Sequence, residues 1–219
     1  MIEHLENGED IALITDAGTP GISDPGEELV KMAYEAGIEV TSLPGACACV
    51  TALTLSGLST RRFVFEAFLP PDKKEHKLAL ERLKNETRTM IVYEAPHHLL
   101  KTLRELLETL GNRRLTLCRE LTKKHETAWQ TTIEDAITRY EQEDPKGECV
   151  LVIEGRSQKE IEDEAKAAFE EISIEEHMKR YEDQGIARKE AMKLVAKDRG
   201  VTKRDIYQYL LGKESYNDF

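Results

Sequence analysis

The sequence predicts an α/β protein with two α/β domains and a helical C-terminal region. Apolar, β-forming runs alternate with helical patterns over the first 150 residues or so. A double proline, Pro70 and Pro71, separates two such series, and the charge pattern changes from Gln158 onward. We therefore divide the chain into domains at residues 1–70, 71–156 and 157–219.

Composition excludes several classes of protein. The 219 residues are 40% hydrophobic and 33% charged, as in a soluble protein with a substantial core. Without an apolar run of about 20 residues or a signal-peptide pattern, we expect a cytoplasmic protein with no membrane partner. The four cysteines lie in apolar segments without C-x-x-C spacing, which predicts reduced, buried thiols and no metal site. A net charge of −11 confines any nucleic-acid contact to a local patch.

The first candidate site lies in a predicted strand, loop and helix over residues 11–36. Residues 11–15 favour a strand, and a helix should follow with Asp24 as N-cap, Pro25 in its first position and Glu27 closing a capping box. Loops at the carboxyl ends of strands form the ligand crevice of α/β sheets, so residues 16–23 are candidates for binding a small molecule. An ordinary strand-to-helix turn is an equally good interpretation.

The first domain continues with a strand at 38–43 and a helix of small, uncharged residues at 46–58. In that helix the Thr51 hydroxyl either bonds to its own backbone, the commoner outcome, or faces the crevice. A strand at 63–69 completes the domain.

The second domain alternates helices and strands, which predicts a parallel or mixed sheet. Asp72 and Glu75 should cap its first helix. The predicted helices span 72–85, 99–110 and 133–142, and the predicted strands span 89–94, 114–120 and 148–154.

The C-terminal region combines an acidic helical segment with a basic hairpin. Residues 158–183 contain ten acidic and four basic residues, with Ser173 and Glu176 as a capping box, whereas residues 186–213 contain eight basic and three acidic residues. The hairpin resembles a helix-turn-helix, with Gly200 ending its first helix and Thr202 and Asp205 capping its second. Its expected inward-facing residues are Ala187, Ala191, Leu194, Val195, Ile206, Tyr207 and Leu210. A hairpin docked on the protein body is at least as good an interpretation as a nucleic-acid reader.

Several catalytic motifs are absent from the sequence. It contains no P-loop, no zinc-binding histidine spacing and no hydrolase nucleophile elbow, and we predict no particular catalytic residue. This pattern fits a reaction in which an activated donor supplies the chemistry and the protein supplies alignment.

A set of motifs in this chain resembles the tetrapyrrole methylase superfamily, and within it the branch that methylates small-subunit ribosomal RNA. The motifs are DAGTPGISDPG at 16–26, LPGA at 43–46, TAL at 51–53, SGL at 56–58, FLP at 68–70, YEAPH at 93–97, RELTK at 119–123 and KGE at 146–148. The resemblance implies S-adenosylmethionine as cofactor, bound between two α/β domains, and the 2′-hydroxyl of a cytidine in the decoding region as acceptor. It also implies small ribosomal subunit RNA as partner and a homodimer.

The resemblance also carries residue assignments. From the first domain, the donor contacts are expected at Asp16, Ala17, Gly18, Ile22, Ser23, Thr51 and Ala52. From the second, they are expected at Tyr93, Arg119, Gly147 and Glu148. Candidate phosphate contacts are Lys73, Lys74, Lys123, Lys203 and Arg204, for which solubilising surface charge is an equally good interpretation.

The start of the chain departs from the superfamily pattern. Members of the superfamily begin with a further strand and a strand–helix unit before the segment that opens this chain, so we expect the first domain to be incomplete. Two other functions stay open on these residues. One is methylation of a tetrapyrrole precursor or the activity of a diphthine synthase, and the other is a catalytically inactive protein that binds RNA or a protein partner.

Overall fold

Residues 1–214 are described by a computed structural model, without the side chains of residues 165, 170 and 212–214. They fall into two compact units, Met1–Gly155 and a unit that begins at Arg156. No described helix is long and apolar enough to cross a bilayer.

The first unit is built on one five-stranded mixed sheet. Its strands are β1 (Phe63–Phe68), β2 (Thr89–Glu94), β3 (Arg114–Arg119), β4 (Thr127–Thr132) and β5 (Cys149–Ile153). Their order is β1-β2-β5-β3-β4, with β1 and β2 parallel and the other three pairings antiparallel. The sheet thus uses strands from both sides of Pro70, and a domain division at that point stays a prediction.

Helices cover the two faces of this sheet unequally. The helices of the unit are α1 (Ile2–Glu6), α2 (Glu27–Glu35), α3 (Ala48–Leu55), α4 (Lys73–Lys84), α5 (Leu99–Leu110) and α6 (Ile133–Tyr140). Alternate β2 side chains separate the two faces: Met90 and Val92 join the cluster formed with α4, α5 and α6, and Ile91 joins the cluster formed with α3. The face under α3 carries the candidate site described below.

Several predicted elements of the first unit are confirmed. Strand β2 and helix α5 have the predicted bounds. Helix α4 begins after Asp72, whose carboxylate accepts hydrogen bonds from the backbone N–H groups of Lys74 and Glu75 at 2.9 and 3.0 Å. Strand β4, which sequence patterns did not reveal, follows β3 as its antiparallel partner.

Three local predictions are wrong. Residues 11–15 and 38–43 are not strands, because no described strand pairs with either segment and an apolar run needs a partner for its backbone groups. Asp24 is not the N-cap of α2, which begins at Glu27 after Gly26. Gly26 has φ of 148°, and a Cβ atom there would lie 2.6 Å from the Leu13 side chain, so the chain turns into the helix only after this glycine.

The second unit contains α7 (Gln158–Glu170), α8 (Ile174–Glu182), α9 (Arg188–Asp198) and α10 (Lys203–Glu214). Its core consists of Met178, Ala191, Val195, Ala196 and Ile206. Of the predicted caps, Thr202 and Asp205 bond reciprocally, whereas the Ser173 capping box is present in part: Ser173 accepts a hydrogen bond from the Glu176 N–H, and the Glu176 carboxylate pairs with Arg180. Ala187 and Tyr207, however, are exposed rather than directed at the core.

A buried histidine network joins α8 to α9. His177 is 1% exposed and stacks between Phe169 and Tyr181, with ring centroids 4.3 and 5.6 Å apart. Its Nδ1 accepts a hydrogen bond from Nε of Arg199 at 3.2 Å, while its Nε2 lies 3.3 Å from Oδ2 of Asp198. Burial, with a contribution from the Arg199 charge, lowers the pKa of His177 below its usual value of 6.5.

The lowered pKa of His177 predicts that acid destabilises the second unit. The unfolded chain binds a proton at a higher pH than the folded one, so the stabilisation is complete above about pH 6.5 and is lost as the pH falls below it. The slope from this one group is at most about 1.4 kcal/mol per pH unit. Hydrogen exchange of the α8 and α9 amides, corrected for intrinsic rates, should show this loss between pH 7.5 and 5. A His177→Gln variant should flatten the slope, and an unchanged slope would exclude His177 as its origin.

Candidate active site

A cavity of about 620 Å³ opens at the carboxyl ends of β1, β2 and β3, on the face covered by α3. Five parts of the first unit line it: the loop at 16–24, residues 46–51 at the start of α3, the ends of β1 and β2, the loop at 120–123 and residues 147–150. Ligand crevices of open α/β sheets lie at this edge. The volume is in the range of small-molecule sites.

The position of α3 is set by hydrogen bonds to the sheet. The backbone N–H of Cys49, in the first turn of α3, donates to the Tyr93 hydroxyl at 2.9 Å, which satisfies a donor that a helix start leaves unpaired. At the other end, the Thr116 hydroxyl donates to the Ser56 carbonyl at 2.9 Å. The Thr51 hydroxyl donates to the Cys47 carbonyl at 3.0 Å, the commoner of its two expected outcomes, and Thr51 still lines the cavity.

The glycine-rich loop is attached to the start of α3. The Thr19 hydroxyl donates to the Ala46 carbonyl at 3.0 Å. Gly18, with φ of 85°, brings its Cα so close that an added Cβ would lie 3.4 Å from the same carbonyl. The Thr15 hydroxyl donates to the Gly18 carbonyl at 3.2 Å and tightens the turn. The loop therefore holds its backbone toward the cavity without forming part of the sheet.

The opposite wall is formed where the β3–β4 loop meets the segment before β5. The Glu126 carboxylate accepts a hydrogen bond from the Thr122 N–H at 2.6 Å, and Lys123 Nζ lies 3.3 Å from Oε1 of Glu120. Gly147, with φ of 74°, lies directly against Glu120: a Cβ atom there would be 2.2 Å from Oε1 of Glu120. A side chain at position 147 would therefore displace this wall.

The charges lining the cavity favour a cationic ligand. Four carboxylates, those of Asp16, Asp24, Glu120 and Glu148, line it together with one ammonium group, that of Lys123. Such a lining attracts a sulfonium or ammonium group and repels a phosphate. The glycine-rich loop offers backbone N–H groups for a carboxylate.

Titratable groups near α3 are held in their neutral forms. Burial, with the neighbouring Cys47, raises the pKa of the Cys49 thiol to about 11. Burial also raises the pKa of the Tyr93 hydroxyl well above its usual value of 10. Both groups are protonated at neutral pH, so Cys49 does not act as a thiolate nucleophile. All four cysteines are free thiols, and Cys49, Cys118 and Cys149 are buried as predicted, whereas Cys47 is partly exposed.

Nine of the eleven residues expected to contact the donor line this one cavity. They are Asp16, Ala17, Gly18, Ile22, Ser23, Thr51, Tyr93, Gly147 and Glu148. Ala52 is fully buried between α3 and the sheet, and Arg119 lies beside Cys149 at the end of β3, so neither lines the cavity. The donor contacts of these eleven residues stay predictions.

The predicted phosphate contacts are distributed over both units. Lys123 lines the cavity, Lys73 and Lys74 lie in the first turn of α4, and Lys203 and Arg204 begin α10. The described residues hold no group of His, Cys, Asp and Glu side chains suited to a metal ion.

Sequence reasoning missed several lining residues, notably Cys47, Phe68, Glu120 and Thr122. The signal for Phe68 and Glu120 was present, because both lie in motifs quoted above, at 68–70 and 119–123. What the sequence did not indicate is that these side chains face the same cavity as residues 16–23.

Comparisons with known proteins place most of the chain in a known family. Residues 1–137 match the family model of the tetrapyrrole (corrin/porphyrin) methylases. The chain is 47% identical to ribosomal RNA small subunit methyltransferase I of Halalkalibacterium halodurans over 207 residues, covering 94% of this chain and 71% of that protein. It is 44% identical to the enzyme of the same name from Bacillus subtilis, covering 94% and 70%. In fold it is similar to the methyltransferase CobJ, with a TM-score of 0.54, 20% identity and coverage of 70% and 68%.

The fold and the cavity define a methyltransferase of the tetrapyrrole methylase family, to which the chain belongs. Within it, the chain belongs to the family of ribosomal RNA small subunit methyltransferase I. The methyl donor of this family is S-adenosylmethionine. The cavity fits such a donor, because its carboxylates complement a sulfonium and an ammonium group and its volume suits a molecule of that size.

The contact between Gly147 and Glu120 predicts that a methyl group at position 147 weakens donor binding. Gly147→Ala should lower the affinity for S-adenosylhomocysteine about tenfold or more, because displacing the Glu120 wall costs on the order of 1.4 kcal/mol. Isothermal titration calorimetry measures this affinity. Gly37→Ala is the control: Gly37 has φ of 72°, nothing lies within 4 Å of an added Cβ, and it does not line the cavity. Equal losses of affinity in both variants would mean that general destabilisation, rather than the cavity wall, is responsible.

Proposed function

We propose that the chain methylates small-subunit ribosomal RNA, at the 2′-hydroxyl of a cytidine in the decoding region. The observation that carries the proposal is the acid-lined cavity beside a glycine-rich loop, in a chain 47% identical to a ribosomal RNA small subunit methyltransferase I. The choice of a cytidine and of its 2′-oxygen follows from the motif resemblance described above.

The mechanism rests mainly on alignment. The bound donor supplies a sulfonium methyl group, which passes to the ribose oxygen and leaves S-adenosylhomocysteine. The protein must hold the 2′-oxygen in line with that methyl group and accept the hydroxyl proton. Among the described lining residues, the carboxylates of Asp16, Asp24, Glu120 and Glu148 are bases that can accept it. The hydrogen bonds that attach α3 to the sheet keep the distance between the cavity walls fixed during transfer.

RNA is bound through local basic groups on an otherwise acidic protein. Lys123, in the β3–β4 loop that lines the donor cavity, contacts a phosphate next to the target nucleotide that stays outside the cavity, and Lys73 and Lys74 extend the contact along α4. Lys203 and Arg204 dock structured RNA on the C-terminal hairpin. A homodimer is part of this proposal, supported by the exposed apolar side chains of Ile14 and Leu43, each 83% exposed.

Methyl transfer to assembled small ribosomal subunits tests the function directly. Subunits from cells lacking this modification should accept a labelled methyl group, and mass spectrometry of nuclease fragments should place it on a cytidine ribose. A tetrapyrrole precursor, offered under the same conditions, should accept none. Binding of S-adenosylhomocysteine without transfer to subunits would contradict the RNA assignment, and transfer to the tetrapyrrole would establish the alternative substrate.

The role of the basic hairpin in RNA binding is tested by removing two of its positive charges. The double variant Lys203→Ala, Arg204→Ala should weaken binding to small subunits and lower the slope of log affinity against log salt by roughly 1 to 2. Lys159→Ala with Lys179→Ala is the matched control, because both lysines are exposed in the same unit, outside the hairpin. An equal effect of the two double variants would contradict a specific role of the hairpin, because the net charge of the unit would then account for the loss of binding.

A further inference from the structure

A second cavity, of about 920 Å³, lies between α4 and α5. It adjoins the donor cavity at Phe68, which lines both. From α4 it is lined by Lys73, His76, Lys77, Leu80, Glu81 and Lys84. These positions recur every three or four residues and therefore form one face of the helix. We call this second cavity the α4–α5 groove.

Phe68 faces the donor cavity because β1 is irregular. Phe65 pairs with Ile91 and Phe68 pairs with Tyr93, so three residues of β1 span two residues of β2. In a regular strand, residues 65 and 68 would point to opposite faces, whereas this bulge at Ala67, with φ of 53°, brings both onto the Tyr93 side. Both rings pack edge-on against Tyr93, with centroids 4.9 and 5.6 Å away.

Phe68 is nonetheless 46% exposed, although it packs against Tyr93. Only part of the ring is covered by Tyr93, and the uncovered part is available to another flat ring. Every nucleobase can stack on such a ring, whatever its sequence. A strained bulge that places an aromatic ring beside a donor site is typical of a functional position.

The charges of the α4–α5 groove separate into paired and unpaired groups. Glu105 accepts a hydrogen bond from His76 at 3.0 Å and lies 3.6 Å from Lys101 Nζ. The buried Glu94 accepts hydrogen bonds from the Thr102 hydroxyl and the Ala95 N–H. Lys73, Lys77 and Lys84 form no ion pair within the described residues, although Glu81 and Glu108 also line the groove. The cations available to an external anion therefore form one row along α4.

We propose that the base of the target nucleotide stacks on Phe68 and that the adjacent RNA backbone follows Lys73, Lys77 and Lys84 along the α4–α5 groove. The inference rests on the proposed function and adds a path for the strand. A stacked base at the junction places its ribose toward the donor cavity, while the acid lining of that cavity keeps phosphates outside it. The row of lysines beyond the junction offers the flanking phosphates opposite charge.

Stacking is tested by changing the ring of Phe68. Phe68→Leu should lower kcat/KM for small subunits by roughly 5- to 150-fold, the equivalent of one lost base stack, whereas Phe68→Tyr should retain most of the activity. Calorimetry should show an affinity for S-adenosylhomocysteine within about twofold of the unchanged protein in both variants. Equal activity of the Leu and Tyr variants would overturn stacking, and a large loss of donor affinity would mean that the ring contacts the donor instead.

The backbone path is tested by charge removal on α4. Lys77→Ala with Lys84→Ala should lower the salt slope of subunit binding by roughly 1 to 2. Two single variants of the same helix supply the comparison: Lys77→Ala should lower the slope, and Arg82→Ala should not, because Arg82 is exposed but does not line the groove. Equal effects of the two would overturn the path. If the unchanged protein transferred no methyl group to subunits at all, the proposed function itself would fail, which is a distinct outcome.

Discussion

The hydrogen bond from the Cys49 N–H to the Tyr93 hydroxyl connects the sheet to the start of α3 and, through it, to the glycine-rich loop of the donor cavity. Tyr93 belongs to a central strand of the sheet, and Cys49 belongs to the first turn of α3. The start of α3 in turn holds the glycine-rich loop, because Ala46 accepts the hydrogen bond from Thr19. The loop itself has no strand beneath it. The position of the loop relative to the carboxyl end of β2 therefore depends on these two hydrogen bonds, at 2.9 and 3.0 Å.

Backbone strain is concentrated at the same place. The non-glycine residues with φ between 50° and 60° are Ser23, Ala67, Glu120 and Thr122. Three of them line the donor cavity, and Ala67 precedes Phe68, which also lines it. Each such conformation costs on the order of 1 kcal/mol and persists only where the surroundings impose it. The described remainder of the first unit contains no non-glycine residue of this kind. This concentration of backbone strain around the cavity indicates a functional site, because strain lowers the stability of the fold.

The parts of the fold that the sequence predicted well are those whose signals are local. Helix α4 has its capping aspartate, α5 has its leucine periodicity and a terminal glycine, and β2 is a buried apolar run, so each could be recognised without knowing its neighbours. Residues 11–15 carry an equally strong apolar signal but form no strand, since a strand also needs a partner. Strand β4 shows the reverse case: its polar sequence TAWQTT gives a weak signal, and pairing with β3 makes it a strand.

The site was predictable to a similar extent and for a similar reason. Motif resemblance could identify residues 16–23 and Gly147, but not that Glu120 packs against Gly147, because that contact arises from a loop with two left-handed residues. Phe68 is the clearest example. Its sequence position assigns it to the wrong face of a regular strand, and only the bulge at Ala67 brings it beside Tyr93. Such an irregularity depends on the register between β1 and β2, which no property of residues 63–68 alone determines.

The two cavities also explain how a protein of net charge −11 can serve a cationic donor and a polyanionic acceptor. The donor cavity is lined by four carboxylates and one lysine, whereas the α4–α5 groove beyond Phe68 carries, besides its own carboxylates, the α4 lysines that form no ion pair within the described residues. Phe68 lies between that acidic lining and this row of lysines. An acidic lining would be a liability if phosphates had to enter it, because burying like charges at a few ångströms is costly. On the RNA path we propose, only the uncharged base and ribose need to reach the junction. The overall acidity of the chain then limits non-specific adhesion to RNA and leaves binding to the few positions where cations are exposed.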